Sequence, residues 1–198
     1  MLSVVEENIG LSLASISGDP SENAARITEN EEIIDFTNGA LTNFLIKLSA
    51  HVDEHDEQRI GSYFHVLNDL ERIGDHAENF HEIGQEMLMK KLSFSNTALS
   101  DIRKMYAVVA DMITVAKDAF DAEDPDRLPK LTALENQTDE MKRTFSTKHF
   151  SRLSEGNCSL EVSPYYTSTI TGLERVADHI VNVGYSICNP VGDDEANS

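Results

Sequence analysis

The chain has 198 residues, with 16 Lys and Arg against 35 Asp and Glu, for a formal net charge of −19. Such a surface repels nucleic-acid phosphates and anionic lipid headgroups, so no nucleic acid and no direct lipid binding is expected, and free phosphate is repelled unless something positive is bound first. No apolar run approaches the roughly eighteen residues of a membrane helix, no signal peptide opens the chain, and Cys158 and Cys188 form no disulfide framework, so a soluble, intracellular, reducing setting is expected.

Helix formers dominate, and turn signals cut the chain into six predicted helices. Gly18-Asp19-Pro20 stops the first, and the polar run 53–58 separates the second from the third. In the third, Tyr63, Val66, Leu70, Ile73, Ala77, Phe80, Gly84 and Met87 recur at steps of three and four, the stripe of a bundle helix. Ser93–Asn96 precedes the fourth helix, and the break 123–129 ends it. The fifth stops at Glu155-Gly156-Asn157-Cys158, with Pro164 beyond. The sixth carries the stripe Tyr166, Thr169, Leu173, Val176, Ile180, Val183 and Ile187 and ends near Asn189-Pro190.

Two segments of this pattern are copies of each other. Leu70–Asn79 reads LERIGDHAEN and Leu173–Asn182 reads LERVADHIVN, with six of ten positions identical at an offset of 103. At an offset of 104, Val4, Val5 and Ile9 match Val108, Val109 and Ile113, and Glu31 and Asp35 match Glu135 and Asp139. Three segments recurring in one order imply a duplicated unit. The expected fold is all-α, a tandem repeat of two three-helix bundles over 1–94 and 95–190, with a disordered acidic tail over 191–198. The fourth helix starts near residue 96, so its counterpart falls before Met1, and the first helix is expected to be truncated.

The pairs Glu31/Asp35, Glu71/Asp75, Glu135/Asp139 and Glu174/Asp178 are each four residues apart and so stack on one helix face. Asn79 and Asn182 extend two of the stripes, and His76 and His179 flank them. By helical angle the stripes fall roughly opposite the core seam, on the accessible side. Stacked carboxylates suit hard or borderline cations: iron, zinc, manganese or magnesium. An acidic helix face is also what an ordinary solvated surface looks like, and common descent alone explains the recurrence, so spacing leaves both readings open. If the second and third helices lie antiparallel, and likewise the fifth and sixth, each repeat gathers its four carboxylates in one patch. No phosphate loop, no nucleophile with an adjoining His and no His-Glu-x-x-His occurs; His65, His81 and His149 stand singly, and packing or capping is expected of His149.

LERIGDHAENF and LERVADHIVNV resemble the paired signatures of the PhoU family, and the Glu-x-x-x-Asp pairs resemble its companion motifs. FHVLNDLERIGDHAEN and HFSRLSEGNC are similar to the C-terminal domain of bacterial sodium/phosphate cotransporters. The resemblance implies metal clusters on Glu31, Asp35, Glu71, Asp75, Glu135, Asp139, Glu174 and Asp178, with Asn79, Asn182, His76 and His179 as weaker candidates. It implies a regulatory domain for phosphate uptake at the cytoplasmic side of the bacterial inner membrane, partnered by a membrane-spanning transporter portion that this chain lacks. A homodimer is left open. The alternative is a free-standing PhoU-type regulator that binds a transporter and a sensor kinase; a metal-dependent phosphohydrolase is the distant third.

Overall fold

The computed structural model of the chain describes residues 1–122 and 124–188. Six α-helices follow one another: α1 Leu2–Ser17, α2 Ala24–Ser49, α3 Glu54–Met89, α4 Asn96–Ala122, α5 Leu128–Ser154 and α6 Ser163–Cys188. No strand occurs among the described residues. The tail expected over 191–198 and the side chains of Ile187 and Cys188 lie outside them.

Local chemistry explains the breaks. Asp19 accepts a hydrogen bond from the Ser21 amide at 2.9 Å and opens a short 3-10 turn over Pro20–Glu22. Asp124 does the same for Asp126 at 3.1 Å, before Pro125–Arg127. This Asp-Pro corner between the first and second helix of each unit is a further copy of the repeat. The polar run after Asp53 is the first turn of α3 rather than a linker. The Asp53 carboxylate accepts from the Asp56 amide at 3.1 Å, and such a cap starts a helix.

Gly156 ends α5 with φ 73°, its amide bonded to Leu153 O and the Asn157 amide to Arg152 O, which is a Schellman closure. Lys91 closes α3 in the same way at φ 54°, with Lys91 N to Leu88 O and Leu92 N to Met87 O.

Within each unit the third helix, α3 or α6, is packed by the other two, and α3 and α6 pack against each other at the centre. Leu70, Ile73, Phe80, Leu173, Val176 and Val183 are all buried, as the periodicity requires. One hydrophobic core runs through all six helices, from Val5 and Ile9 on α1 to Ile180 on α6. Gly84 belongs to the stripe for its missing side chain: a Cβ there would stand 2.5 Å from the Ser15 carbonyl oxygen, so glycine lets α1 and α3 touch. The first helix has 16 residues against 27 in α4, and at the offset of 104 its first residue, Leu2, stands opposite Tyr106. The outer face of α2 leaves Phe36, Phe44 and Ile46 exposed.

Candidate metal centre

The four-residue connection Ala50–Asp53 returns α3 alongside α2. The pairing is antiparallel, since Glu31 lies among Asp75 and Glu78 while Asn38, further along α2, reaches back to Glu71. Each repeat therefore gathers its two stripes into one patch, between α2 and α3 in the first and between α5 and α6 in the second. The angular expectation of an accessible stripe holds for part of the first patch only. Asp35 and Asp75 are exposed, as expected, whereas Glu31, Glu71, Glu135, Glu174, Asp139 and Asp178 are half-buried in the helix seams, not on an open face. A helix wheel locates a stripe relative to one core seam only; α3 and α6 are each packed on several sides, so the face away from one neighbour meets another.

In the first patch Glu31 is the crowded group. Burial, followed by the charges of Glu78, Asp35, Asp75 and Glu71, pushes its carboxyl up to about 7. Asn8 donates from Nδ2 to Glu31 Oε2 at 3.3 Å, and Asn38 donates from Nδ2 to Glu71 Oε2 at 3.2 Å. Among the described residues no lysine or arginine forms an ion pair with Glu31, Asp35, Glu71 or Asp75. Behind this patch Asn8, Ser12 and Asn30 are fully buried. Asn8 Oδ1, Ser12 Oγ and both amide atoms of Asn30 have no hydrogen-bond partner.

In the second patch one oxygen each from Asp139, Glu174 and Asp178 lie within 4.8 Å of one another. Burial and these same three neighbours push the Glu135 carboxyl upwards. Burial and then Glu174 do so for Asp178, against the pull of Arg175. Here cations are built in: Lys142 Nζ stands 2.8 Å from Glu174 Oε1, and Arg175 lies 3.6 Å from Asp178 and 3.8 Å from Glu174.

The residues fit a hard or borderline cation. Bond lengths of about 2.0–2.6 Å let one ion bridge oxygens separated by up to roughly 4–5 Å, the spacing of the second patch, and the orphaned Asn8 carbonyl supplies a neutral oxygen beside the first. When bound, such an ion neutralises the stacked carboxylates and leaves open positions for water or an anion.

The weaker candidates sit elsewhere. His76 and His179 face each other where α3 crosses α6, with ring centroids 5.9 Å apart, and His179 Nδ1 lies 2.8 Å from Asp69 Oδ1. Burial, then the neighbouring His179, holds His76 below the usual imidazole range. Asn79 and Asn182 are exposed. Asn79 and His76 line a groove of about 430 Å³ between α3 and α6, together with Thr171 and Arg175.

The sequence reading missed two contacts between a nucleophile and an imidazole. His81 Nδ1 meets Ser15 Oγ at 3.0 Å, with Gln85 on the other ring nitrogen. Ser15 and His81 are buried, so the pair ties α1 to α3. Cys158 Sγ is 3.9 Å from His149 Nδ1, while His149 Nε2 meets Ser163 Oγ at 2.9 Å and the ring stacks on Tyr166 at 4.4 Å. His149 thus has the packing role expected of it. Asn8, Asn38 and Lys142 also went unnoticed, although the repeat alignment places Lys142 opposite Asn38 and Met112 opposite Asn8.

Among the described residues no helix is long and apolar enough to cross a membrane. The family model for the PhoU domain matches residues 1–83 and 102–187, one block per repeat. The phosphate-specific transport system accessory protein PhoU homolog 1 of Thermotoga maritima is 28% identical over 196 residues, covering 92% of this chain and 79% of that protein. In fold the chain matches PhoU from Pseudomonas aeruginosa with a TM-score of 0.87 at 20% identity, over 96% of this chain and 91% of that one. It matches the phosphate transport system regulatory protein PhoU from Streptococcus pneumoniae with a TM-score of 0.81 at 20% identity, over 94% and 87%.

Proposed function

The chain belongs to the PhoU domain family, and from that membership we propose that it is an accessory regulator of phosphate transport, acting on a membrane transporter and holding a multivalent cation on clustered carboxylates. The observation that carries this reading is the family match over both repeats, which takes in all eight carboxylates of the two patches. The narrower likeness to a cotransporter's C-terminal domain gives way to the accessory reading. The named relatives are PhoU proteins, matched over most of their own length.

The role is binding rather than bond-making. The Ser15–His81 and Cys158–His149 contacts serve packing, and the carboxylate patches lie in helix seams. With a net charge of −19, a phosphate anion is attracted only to a bound cation, and the same ion stabilises the seams between α2 and α3 or between α5 and α6.

The test is phosphate uptake in the native host. Deleting the gene should uncouple uptake from external phosphate, and the wild-type chain supplied in trans should restore the coupling. A version carrying D35N and D75N should restore it poorly. Uptake that still responds normally to phosphate in the deletion strain contradicts the proposal.

A further inference from the structure

The duplication lets each patch be compared, residue by residue, with its copy. The carboxylates match one for one: Glu31 with Glu135, Asp35 with Asp139, Glu71 with Glu174, Asp75 with Asp178. Their surroundings do not match. Asn38 stands where the second repeat has Lys142, and Asn8, Ser12 and Asn30 stand where it has Met112, Ala116 and Leu134. Asn38 gives Glu71 a neutral amide at 3.2 Å, whereas Lys142 gives the equivalent Glu174 an ammonium at 2.8 Å.

We propose that the two patches are not equivalent: the first, between α2 and α3, takes the multivalent cation, and in the second the Lys142 ammonium stands in the cation's place. The assignment rests on the metal-binding reading above and says which repeat performs it.

Three observations carry it. The first is charge. Lys142 and Arg175 already pair with the second patch, so an incoming ion has to displace an ammonium held at 2.8 Å and meets the repulsion of both cations. In the first patch, among the described residues, no basic side chain pairs with the four carboxylates, and a fifth carboxylate, Glu78, faces Glu31.

The second observation is geometry. The three ligand oxygens within 4.8 Å belong to the patch that contains Lys142. Carboxylates that approach closely repel one another unless a positive group or a shared proton offsets the charge, and there Lys142 pairs with Glu174. The first patch has no paired lysine or arginine, and among the described residues it brings no three such oxygens within that distance, so its carboxylates stand further apart.

The third is the backing. Asn8 is fully buried and joined to Glu31, yet its carbonyl oxygen has no partner. A buried acceptor left unpaired is costly unless something completes it. A cation, or a water it carries, does so in the first repeat; the second has Met112 at that position, and its own unpartnered buried oxygen, Glu174 Oε2, belongs to a carboxylate that Lys142 already holds through Oε1.

The test uses the full chain, untagged and stripped with chelator, titrated with Mn²⁺ alone while free Mn²⁺ is counted by electron paramagnetic resonance. Helix content of each variant is checked by circular dichroism. Wild type is expected to bind Mn²⁺ in its first repeat, and N38K to weaken that binding at least tenfold. K142N should add a further site with affinity within about tenfold of the first, and K142Q, closer in length to lysine, covers the case of a poorly folded K142N. If wild type binds Mn²⁺ but both Lys142 variants leave the stoichiometry unchanged, or N38K binds as wild type does, the assignment is overturned while metal binding stands. A wild-type protein that binds no Mn²⁺ overturns the metal reading itself.

Discussion

At the scale of single residues, Glu31 concentrates the strain of the acidic seam. Burial and its four carboxylate neighbours raise its pKa from 4.5 to about 7 in the folded chain. An acid whose pKa rises on folding stabilises the fold while protonated. That contribution is fully present below about pH 4.5 and is lost as pH climbs through about 7. Glu31→Gln keeps the shape without the charge. In chelator, urea unfolding of the variant should match wild type near pH 4.5 and show a higher midpoint than wild type at pH 8. Equal midpoints at both pH values contradict the crowding of Glu31.

The carboxylates themselves were legible as stacked pairs, because spacing of four is a property of one helix. What they meet was not. Asn38, Lys142 and Asn8 act across a seam, and their effect depends on which neighbour each helix face receives. His76 and His179 show the same limit: they read as flanking the stripes, and they meet each other at the α3–α6 crossing.

At the scale of elements, the helix count and nearly every break follow from local chemistry, and so they were readable. Asp-Pro corners, Gly156 and the apolar stripes of α3 and α6 act within a turn or two of their own positions. The exception was Asp53, whose polar neighbours read as a linker and form instead the first capped turn of α3. The end of α3 yields a further expectation. Lys91 sits at φ 54°, where a side chain is strained and glycine is not. Its amide hydrogen bond to Leu88 O and that of Leu92 to Met87 O survive any substitution other than proline. Lys91→Gly should therefore stabilise the chain by about 0.5–1 kcal/mol, read as a raised denaturation midpoint with an unchanged slope. A loss of stability contradicts the strained closure.

At the scale of the whole molecule, the duplication was visible in sequence because its signature segments keep six of ten residues. The way the two units join was not visible. α3 and α6 share one continuous core, so the units are halves of a single packed body. The same duplication supplies an internal comparison, with two acidic seams of one ancestry, one lined by amides and the other filled by a lysine. The seam between α2 and α3 is proposed to hold a multivalent cation. The most direct measurement is X-ray diffraction from crystals of the untagged chain grown with Mn²⁺, collected where manganese scatters anomalously. An anomalous peak is expected among Glu31, Asp35, Glu71 and Asp75, and none at Lys142 in the second seam. A map with no peak between α2 and α3, or with its peak in the second seam alone, contradicts the proposal.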